Sequence, residues 1–176
     1  MGTCFARDSR VWVARANGPA SFLTKDSAEP QRAQSLPLSS VRRDDRVLSA
    51  DEHGALLFDA VTYLSHAKDD RNEYDMRTIA FESDAKGAEA RGAIQITPDH
   101  FMYVRCNSGE ECADVMSQPP SPLAYRCASY VPARSVSVGS WVAVVSAGRA
   151  GMEWAKVAAV ESKRVTGAQN IYTKSG

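Results

Sequence analysis

The sequence predicts an all-β protein built from two related halves. Short segments in which apolar and polar residues alternate are separated by turn residues, and this two-residue period is typical of strands. Few segments carry the apolar spacing of a long amphipathic helix. The predicted strands are Arg10–Ala14, Asp45–Ala50, Ala60–Ser65, Met76–Glu82, Ala93–Ile96, Phe101–Val104, Ala124–Val131, Trp141–Ser146 and Ala155–Val160.

Two polar segments interrupt this pattern. The first, Thr24–Ser40, contains Pro30 and Pro37 and is predicted to be a surface connection or a short irregular helix. The second, Arg105–Pro122, combines asparagine, serine and glycine with two adjacent prolines, which predicts an exposed insertion. Neither segment is convincing as a domain boundary, so a single domain is expected.

An internal repeat supports the division into two halves. In the first copy, Val41 precedes a tight turn, a strand, a glycine-containing hairpin and a second strand that includes Val61. In the second copy, Val136 precedes the same succession, which ends in a strand that includes Val157. Such a repeat indicates two related β subdomains that face each other. The alternative is chance, because any all-β chain repeats strand, turn and strand.

Composition and charge exclude several classes of function. The chain of 176 residues fits one domain that can bury most of its apolar surface without disulfides. Its 21 basic and 21 acidic residues balance, and no basic stripe indicates nucleic acid or an anionic membrane as a partner. No apolar run approaches the roughly 20 residues that span a bilayer, and the N-terminus lacks the plan of a signal peptide. These observations do not exclude a secreted parent protein.

The cysteines fall into two groups. Cys4 stands alone near the N-terminus, whereas Cys106, Cys112 and Cys127 lie in or beside the second polar segment, where at most one pair can form. Zinc bound by these three cysteines and His100 is an alternative. Their irregular spacing, without a C-x-x-C motif, does not favour it. We therefore expect neither a metal nor a cofactor.

Cys4 has the chemistry to act on its own backbone. Its thiolate can attack the carbonyl of Thr3, so that the peptide bond becomes a thioester and Cys4 acquires an α-amine. Without catalysis this N-to-S acyl shift is unfavourable, because an amide is more stable than a thioester and an amine is a poor leaving group. A site must therefore protonate the amide nitrogen, stabilise the oxyanion and activate the thiol.

The segment Thr97-Pro98-Asp99-His100 offers groups that can act on the amide nitrogen. The Thr97 hydroxyl can donate to the scissile amide and accept from it. The His100 imidazole can hold or release a proton near neutral pH. On a tight turn, both side chains can reach the same peptide. Taken alone, the segment is better explained as an ordinary turn in which proline fixes φ and aspartate caps.

His66 is a candidate base for Cys4 or for a second nucleophile. It follows the predicted strand Ala60–Ser65. The alternative is a solvated loop histidine beside Asp69 and Asp70, and for an isolated residue this alternative is the simpler one.

One ordered set of residues runs along nearly the whole chain: Cys4-Phe5, Arg46-Val47-Leu48-Ser49-Ala50, Val61, His66, Thr97-x-x-His100 and the closing Thr166-Gly167, Thr173 and Gly176. In this order the residues resemble the hedgehog C-terminal autoprocessing domain of the HINT (hedgehog/intein) superfamily. The resemblance implies a flat, horseshoe-like all-β fold of two subdomains related by pseudo-twofold symmetry. Residues 1–3 would be the remnant of an N-terminal flanking segment, and residues 4–176 the autoprocessing domain.

The resemblance also implies roles for the site residues. Cys4 would be the nucleophile, and Thr97 and His100 would act on the scissile amide that follows Thr3. His66 would replace an aspartate that is thought to activate a sterol hydroxyl in hedgehog proteins. The substrate would be the N-terminal flanking polypeptide of the chain itself, released to water, a thiol, a sterol or another lipid alcohol. A monomer is expected.

Departures from the family pattern define the alternatives. His66 in place of aspartate makes cholesterol a less secure expectation, and Thr3 stands where hedgehog junctions carry glycine. No terminal His-Asn precedes a Cys, Ser or Thr, so splicing through asparagine cyclisation is not expected. The sequence ends at Gly176, where family members continue into another strand. The main alternative is a catalytically inactive β module with a structural or interaction role; an intermolecular Cys-His hydrolase is weaker.

Overall fold

Antiparallel strands make up most of the structure. The computed structural model describes residues 4–14, 20–22, 31–50, 56–65, 71–83, 91–105, 128–145 and 152–174. Two short 3₁₀ helices, Leu38–Ser40 and Ala133–Ser135, accompany the strands. The strands are β1 (Phe5–Ala6), β2 (Arg10–Ala14), β3 (Ala20–Phe22), β4 (Gln31–Pro37), β5 (Arg46–Ala50), β6 (Leu56–Ser65), β7 (Glu73–Ser83), β8 (Arg91–Ile96), β9 (Phe101–Arg105), β10 (Ala128–Pro132), β11 (Trp141–Val145), β12 (Met152–Thr166) and β13 (Ala168–Thr173).

The strand order places the N-terminus in the middle of the sheet. The order is β10-β9-β11-β12-β7-β8-β1-β13-β6-β5-β2-β4-β3. The two-residue strand β1 pairs antiparallel with β8 on one side and with β13 on the other. The residue just before β1, Cys4, therefore lies where the two halves of the sheet meet. No helix in the described part of the chain is both long and apolar enough to cross a membrane.

The predicted all-β class is confirmed, and every predicted strand overlaps an observed one. The prediction of a connection or irregular helix over Thr24–Ser40 was wrong for its second half. Gln31–Pro37 forms β4, and only Leu38–Ser40 is helical. Strand β4 pairs along its length with β2, from Ala14 opposite Ala33 to Arg10 opposite Pro37. Its few apolar residues gave no clear alternation, although Ala33 is buried and Leu36 packs against a core cluster.

Each half of the sheet has its own hydrophobic core, and a small cluster lies between them. The core of the second half includes Ile79 and Ile96, both fully buried. The core of the first half is made of valines from β2, β5, β6 and the segment before β5. The small cluster contains Cys4, Ala6, Met76 and Ala168, so Cys4 is packed with apolar side chains of three strands, β1, β7 and β13.

The backbone hydrogen bonds confirm the internal repeat. The N–H of Val41 closes the first 3₁₀ helix on the carbonyl of Leu38 at 3.0 Å, and that of Val136 closes the second on Ala133 at 3.1 Å. Each helix follows a proline in extended conformation. The two segments thus begin with the same local structure, as the sequence repeat predicts.

The turn that follows each valine repeats the same bonds. It passes through a residue with positive φ, Asp44 at 71° in the first copy and Gly139 at 89° in the second. Aspartate and glycine are among the residues that tolerate this conformation best. The Asp44 N–H donates to the Val61 carbonyl at 2.8 Å, and the Gly139 N–H donates to the Val157 carbonyl at 2.9 Å. The two halves are therefore copies of one supersecondary unit.

Candidate active site

The Thr97–His100 segment forms a tight turn between β8 and β9. The His100 N–H donates to the Thr97 carbonyl at 3.0 Å and closes the turn. The second 3₁₀ helix holds it from outside, since Ala133 N–H donates to the His100 carbonyl at 2.8 Å. Arg134 N–H donates to the Pro98 carbonyl at 2.9 Å, and the Arg134 side chain forms an ion pair with Asp99. The turn is thus fixed by its flanking strands and by a third segment.

Cys4 lies directly beside this turn, 93 residues away in sequence from Thr97. The Thr97 N–H donates to the Cys4 carbonyl at 2.8 Å, and the Cys4 N–H donates to the Thr97 hydroxyl Oγ1 at 2.9 Å. In a regular antiparallel pair, both bonds would join backbone groups. Here the hydroxyl takes the place of the Thr97 carbonyl, because that carbonyl accepts from His100. The N–H of the peptide bond before Cys4 is therefore held by a side chain.

Both partners of this bond are shielded from solvent. Cys4 is 2% exposed and Thr97 is 7% exposed. The Cys4 sulfur is a thiol and not part of a disulfide. A buried hydrogen bond between an amide and a hydroxyl experiences less screening than one in water, so it fixes the amide firmly.

His100 packs against Phe5, the residue that follows Cys4. Its ring lies 4.2 Å from the Phe5 ring, centroid to centroid, with an interplanar angle of 57°. Its Nδ1 is buried, and no described residue forms a hydrogen bond with it. Burial lowers the pKa of His100 below its usual value, because desolvation penalises the charged imidazolium. At neutral pH the imidazole is therefore neutral, with a nitrogen that can exchange a proton.

The structure brings Cys4, Thr97 and His100 together, as the sequence predicts. Thr3 and His66 lie outside the described residues, so the predicted roles of both stay predictions. Cys106, Cys112 and Cys127 also lie outside them. Among the described ranges, no group of three His, Cys, Asp or Glu side chains could hold a metal ion.

A model of the Hint module family matches residues 14–176. The chain belongs to the Hint module family. The matched range begins after Cys4, so the family match does not include this residue. The case for Cys4 as a site residue rests on its hydrogen bonds with Thr97. A comparison with curated proteins gave no match.

Solved structures of inteins share the fold of this Hint domain. An intein from a hyperthermophile superimposes with a TM-score of 0.62 and 12% identity, over 98% of this chain and 91% of that chain. The Mvu mini-intein of transcription factor IIB gives a TM-score of 0.59 and 9% identity, over 99% and 92% of the two chains. The TvoVMA intein gives a TM-score of 0.54 and 10% identity, over 98% of this chain and 88% of that chain. This likeness confirms the predicted HINT fold, while the hedgehog-type subclass stays a prediction.

The Thr97–His100 turn of the Hint domain has a counterpart in the first half. There Ser9 N–H donates to the Ala6 carbonyl at 2.9 Å and closes the turn Ala6–Ser9. The first 3₁₀ helix holds this turn as the second helix holds its partner, through Leu38 N–H to the Ser9 carbonyl at 2.8 Å. Ala6 stands in the place of Thr97, and Ser9 in the place of His100. Only one of the two equivalent turns therefore carries the threonine and histidine.

Two buried polar residues of β13 were missed by the sequence analysis. Gln169 and Asn170 are 6% and 8% exposed, and Gln169 lies opposite Phe5 in the sheet. Polar residues interrupt the apolar pattern in this strand, so no strand was predicted there. The signal in the sequence is that two adjacent amide residues follow the family-like Thr166-Gly167 after one alanine.

The lowered pKa of His100 predicts a pH-dependent stability. Between its folded-state pKa and about 6.5, the unfolded chain binds more protons than the folded chain, so the free energy of unfolding falls as pH falls. We expect the wild type to lose more stability than His100→Gln when pH is lowered from 7.5 to 5.5, measured by urea denaturation. His53 and His66 are present in both proteins, so their titration cancels to first order. Equal losses would contradict the burial of His100.

Proposed function

We propose that this Hint domain processes its own chain by an N-to-S acyl shift at the Thr3–Cys4 bond. The observation that carries the proposal is the 2.9 Å bond from the Cys4 N–H to the Thr97 hydroxyl. This bond supports the proposal that the turn acts on the amide before Cys4. Membership of the Hint module family supports self-processing in general. The intein neighbours, named for inteins in their own descriptions, agree with it.

In the proposed first step, the thiol of Cys4 adds to the carbonyl carbon of Thr3. A carbon–sulfur bond forms, the carbon–nitrogen bond breaks, and the thiol proton finally resides on the new α-amine of Cys4. The Thr97 hydroxyl orients the nitrogen through the bond described above. His100 supplies the proton that the departing nitrogen needs, because its neutral imidazole can pick up a proton and release it near neutral pH.

In the proposed second step, another nucleophile takes the acyl group from Cys4. Water, a thiol, a sterol or another lipid alcohol would each release the N-terminal polypeptide. His66 is the proposed base for this nucleophile. It directly follows Ser65, the last residue of β6, which pairs with Asn170 of β13. Transfer to a sterol is the most specific form of the proposal and rests on the hedgehog resemblance alone.

The test is a fusion of a reporter protein to the authentic residues before Cys4. Incubation with dithiothreitol or hydroxylamine should cleave the fusion, and mass spectrometry should find the nucleophile attached to the carboxyl group of Thr3. Hydroxylamine yields a hydroxamate, which a proteolytic cut does not produce. A fusion that stays intact, or that breaks at another bond, would sink the proposal. An intact fusion would favour the inactive β module.

A further inference from the structure

Asn170 of β13 faces Cys4 from the side opposite the catalytic turn. We infer that its carboxamide donates a hydrogen bond to the oxyanion formed when Cys4 attacks, an inference that rests on the proposed acyl shift. Thr97 and His100 serve the nitrogen of the scissile peptide. A donor for its oxygen is a further requirement of the reaction.

The strand register places Asn170 opposite Cys4. Phe5 pairs with Gln169 and Ala6 with Ala168, so the next pair along the same antiparallel ladder is Cys4 with Asn170. The Cys4 N–H points to β8, where Thr97 Oγ1 accepts it. Cys4 and Asn170 therefore form a non-hydrogen-bonded pair, the type whose Cα atoms lie about 4.5 Å apart and whose side chains share a face closely.

The backbone bonds of β13 show on which side the carboxamide lies. The Asn170 N–H donates to Ser65 Oγ of β6 at 3.1 Å, so it points away from β1. Successive N–H groups of a strand point to opposite sides, so the Ile171 N–H points to the β1 side. Asn170 Oδ1 accepts this N–H at 3.0 Å. The carboxamide thus stands on the β1 side of its strand, beside the start of β1.

The same bond fixes which end of the carboxamide can donate. A backbone N–H requires an acceptor, so Oδ1 must face Ile171 and Nδ2 must be the other end. None of the described residues accepts a hydrogen bond from Nδ2. Asn170 is nevertheless only 8% exposed. The Nδ2 group is therefore available to donate to an atom that comes to lie beside the start of β1.

The geometry of the peptide bond supplies the partner. In a trans peptide, the N–H and the carbonyl oxygen lie on opposite edges of one plane. The Cys4 N–H is directed to β8. In a trans peptide before Cys4, we therefore expect the oxygen of the attacked carbonyl on the β13 edge. Nδ2 of Asn170 then meets the oxygen on which negative charge develops, while Thr97 and His100 meet the nitrogen on the other edge.

The test is Asn170→Asp in the reporter fusion. Aspartate keeps an acceptor for the Ile171 N–H and almost the same size, but it lacks the Nδ2 donor and adds a negative charge. We expect dithiothreitol cleavage near neutral pH to slow by about 10²-fold to 10³-fold, the usual effect of losing one oxyanion donor. The matched control is Asn72→Asp, the same change at an exposed asparagine before β7, which should cleave at the wild-type rate.

A pH profile separates an oxyanion donor from a merely structural residue. Below the pKa of the new aspartate, about 4 in an ordinary setting, its carboxyl group regains an O–H donor. The ratio of the variant rate to the wild-type rate should therefore rise as pH falls. A purely structural defect gives a ratio that does not rise.

The outcomes distinguish this inference from the proposed function. If the wild-type fusion shows no cleavage that depends on Cys4, the acyl shift and the inference fail together. If the wild type cleaves and Asn170→Asp cleaves as fast near neutral pH, or its ratio does not rise at low pH, the inference alone is wrong. Circular dichroism melting reports whether the variants fold. If Asn170→Asp does not fold, Asn170→Ala, which also lacks the donor, decides by the same rate comparison.

Discussion

Replacing Cys4 with alanine is expected to abolish cleavage of the reporter fusion by dithiothreitol. The thiol is the group that forms the carbon–sulfur bond, and without it no thioester exists for dithiothreitol to attack. We expect the rate to fall by about 10⁴-fold or more, as it does when the nucleophile of an acyl-transfer site is removed. Gel analysis of the fusion over time measures this loss.

The fold should survive this substitution. Cys4 packs against Ala6, Met76 and Ala168, and alanine removes only its sulfur from that cluster. Thermal melting of the purified domain checks this point. Cys4→Ser is an informative companion variant, because a hydroxyl can form an ester that hydroxylamine cleaves more readily than dithiothreitol does. Cleavage of Cys4→Ala at the wild-type rate would rule out the acyl shift at this residue.

Replacing His100 with alanine is expected to slow thioester formation by about 10²-fold to 10⁴-fold, the usual contribution of a general acid or base. The imidazole is the group beside Cys4 whose proton affinity suits protonation of a departing nitrogen at neutral pH. The rate of dithiothreitol cleavage in the reporter fusion measures the effect. His100→Gln, which keeps more of the volume packed on Phe5, shows how much of it is structural.

The duplicated fold provides a matched control for this variant. Ser9 occupies the position of His100 in the counterpart turn and bonds through its hydroxyl to the Gln95 carbonyl at 3.4 Å. Ser9→Ala should leave cleavage unchanged. His66→Ala should also preserve dithiothreitol cleavage, while it slows release to the natural acceptor. If His100→Ala and His66→Ala blocked dithiothreitol cleavage equally, the division of roles between the two histidines would be wrong.

Strands that are rich in apolar residues could be predicted from the sequence, whereas strands stabilised by their neighbours could not. Residues 101–104 and 141–145 are apolar throughout. They form most of β9 and all of β11. Strand β4 is polar, and its conformation follows from pairing with β2 and from the burial of Ala33. Strand β13 is stabilised by pairing with β1 on one side and with β6 on the other. Such long-range pairing leaves no local periodicity.

The Thr97–His100 turn beside Cys4 was predictable because its candidate reactive residues and its turn residues coincide in one short segment. Thr97 and His100 could be paired with Cys4 from residue type and from the family resemblance. The Cys4 N–H donates to the Thr97 hydroxyl instead of the Thr97 carbonyl. This choice of acceptor could not be predicted, since it depends on how the turn packs against β1. Asn170 was not identified either, because only the register between β1 and β13 places it opposite Cys4.

The two matched turns also bear on how such a protein can evolve. A single ancestral unit that dimerised about a twofold axis would have held two identical turns, each constrained by the same sequence. Once both copies are encoded in one chain, mutations can reach each copy separately. The Ala6–Ser9 copy then needs only to hold its strands, while the Thr97–His100 copy keeps reactive side chains. Gene fusion thereby separates the requirements of folding from those of chemistry.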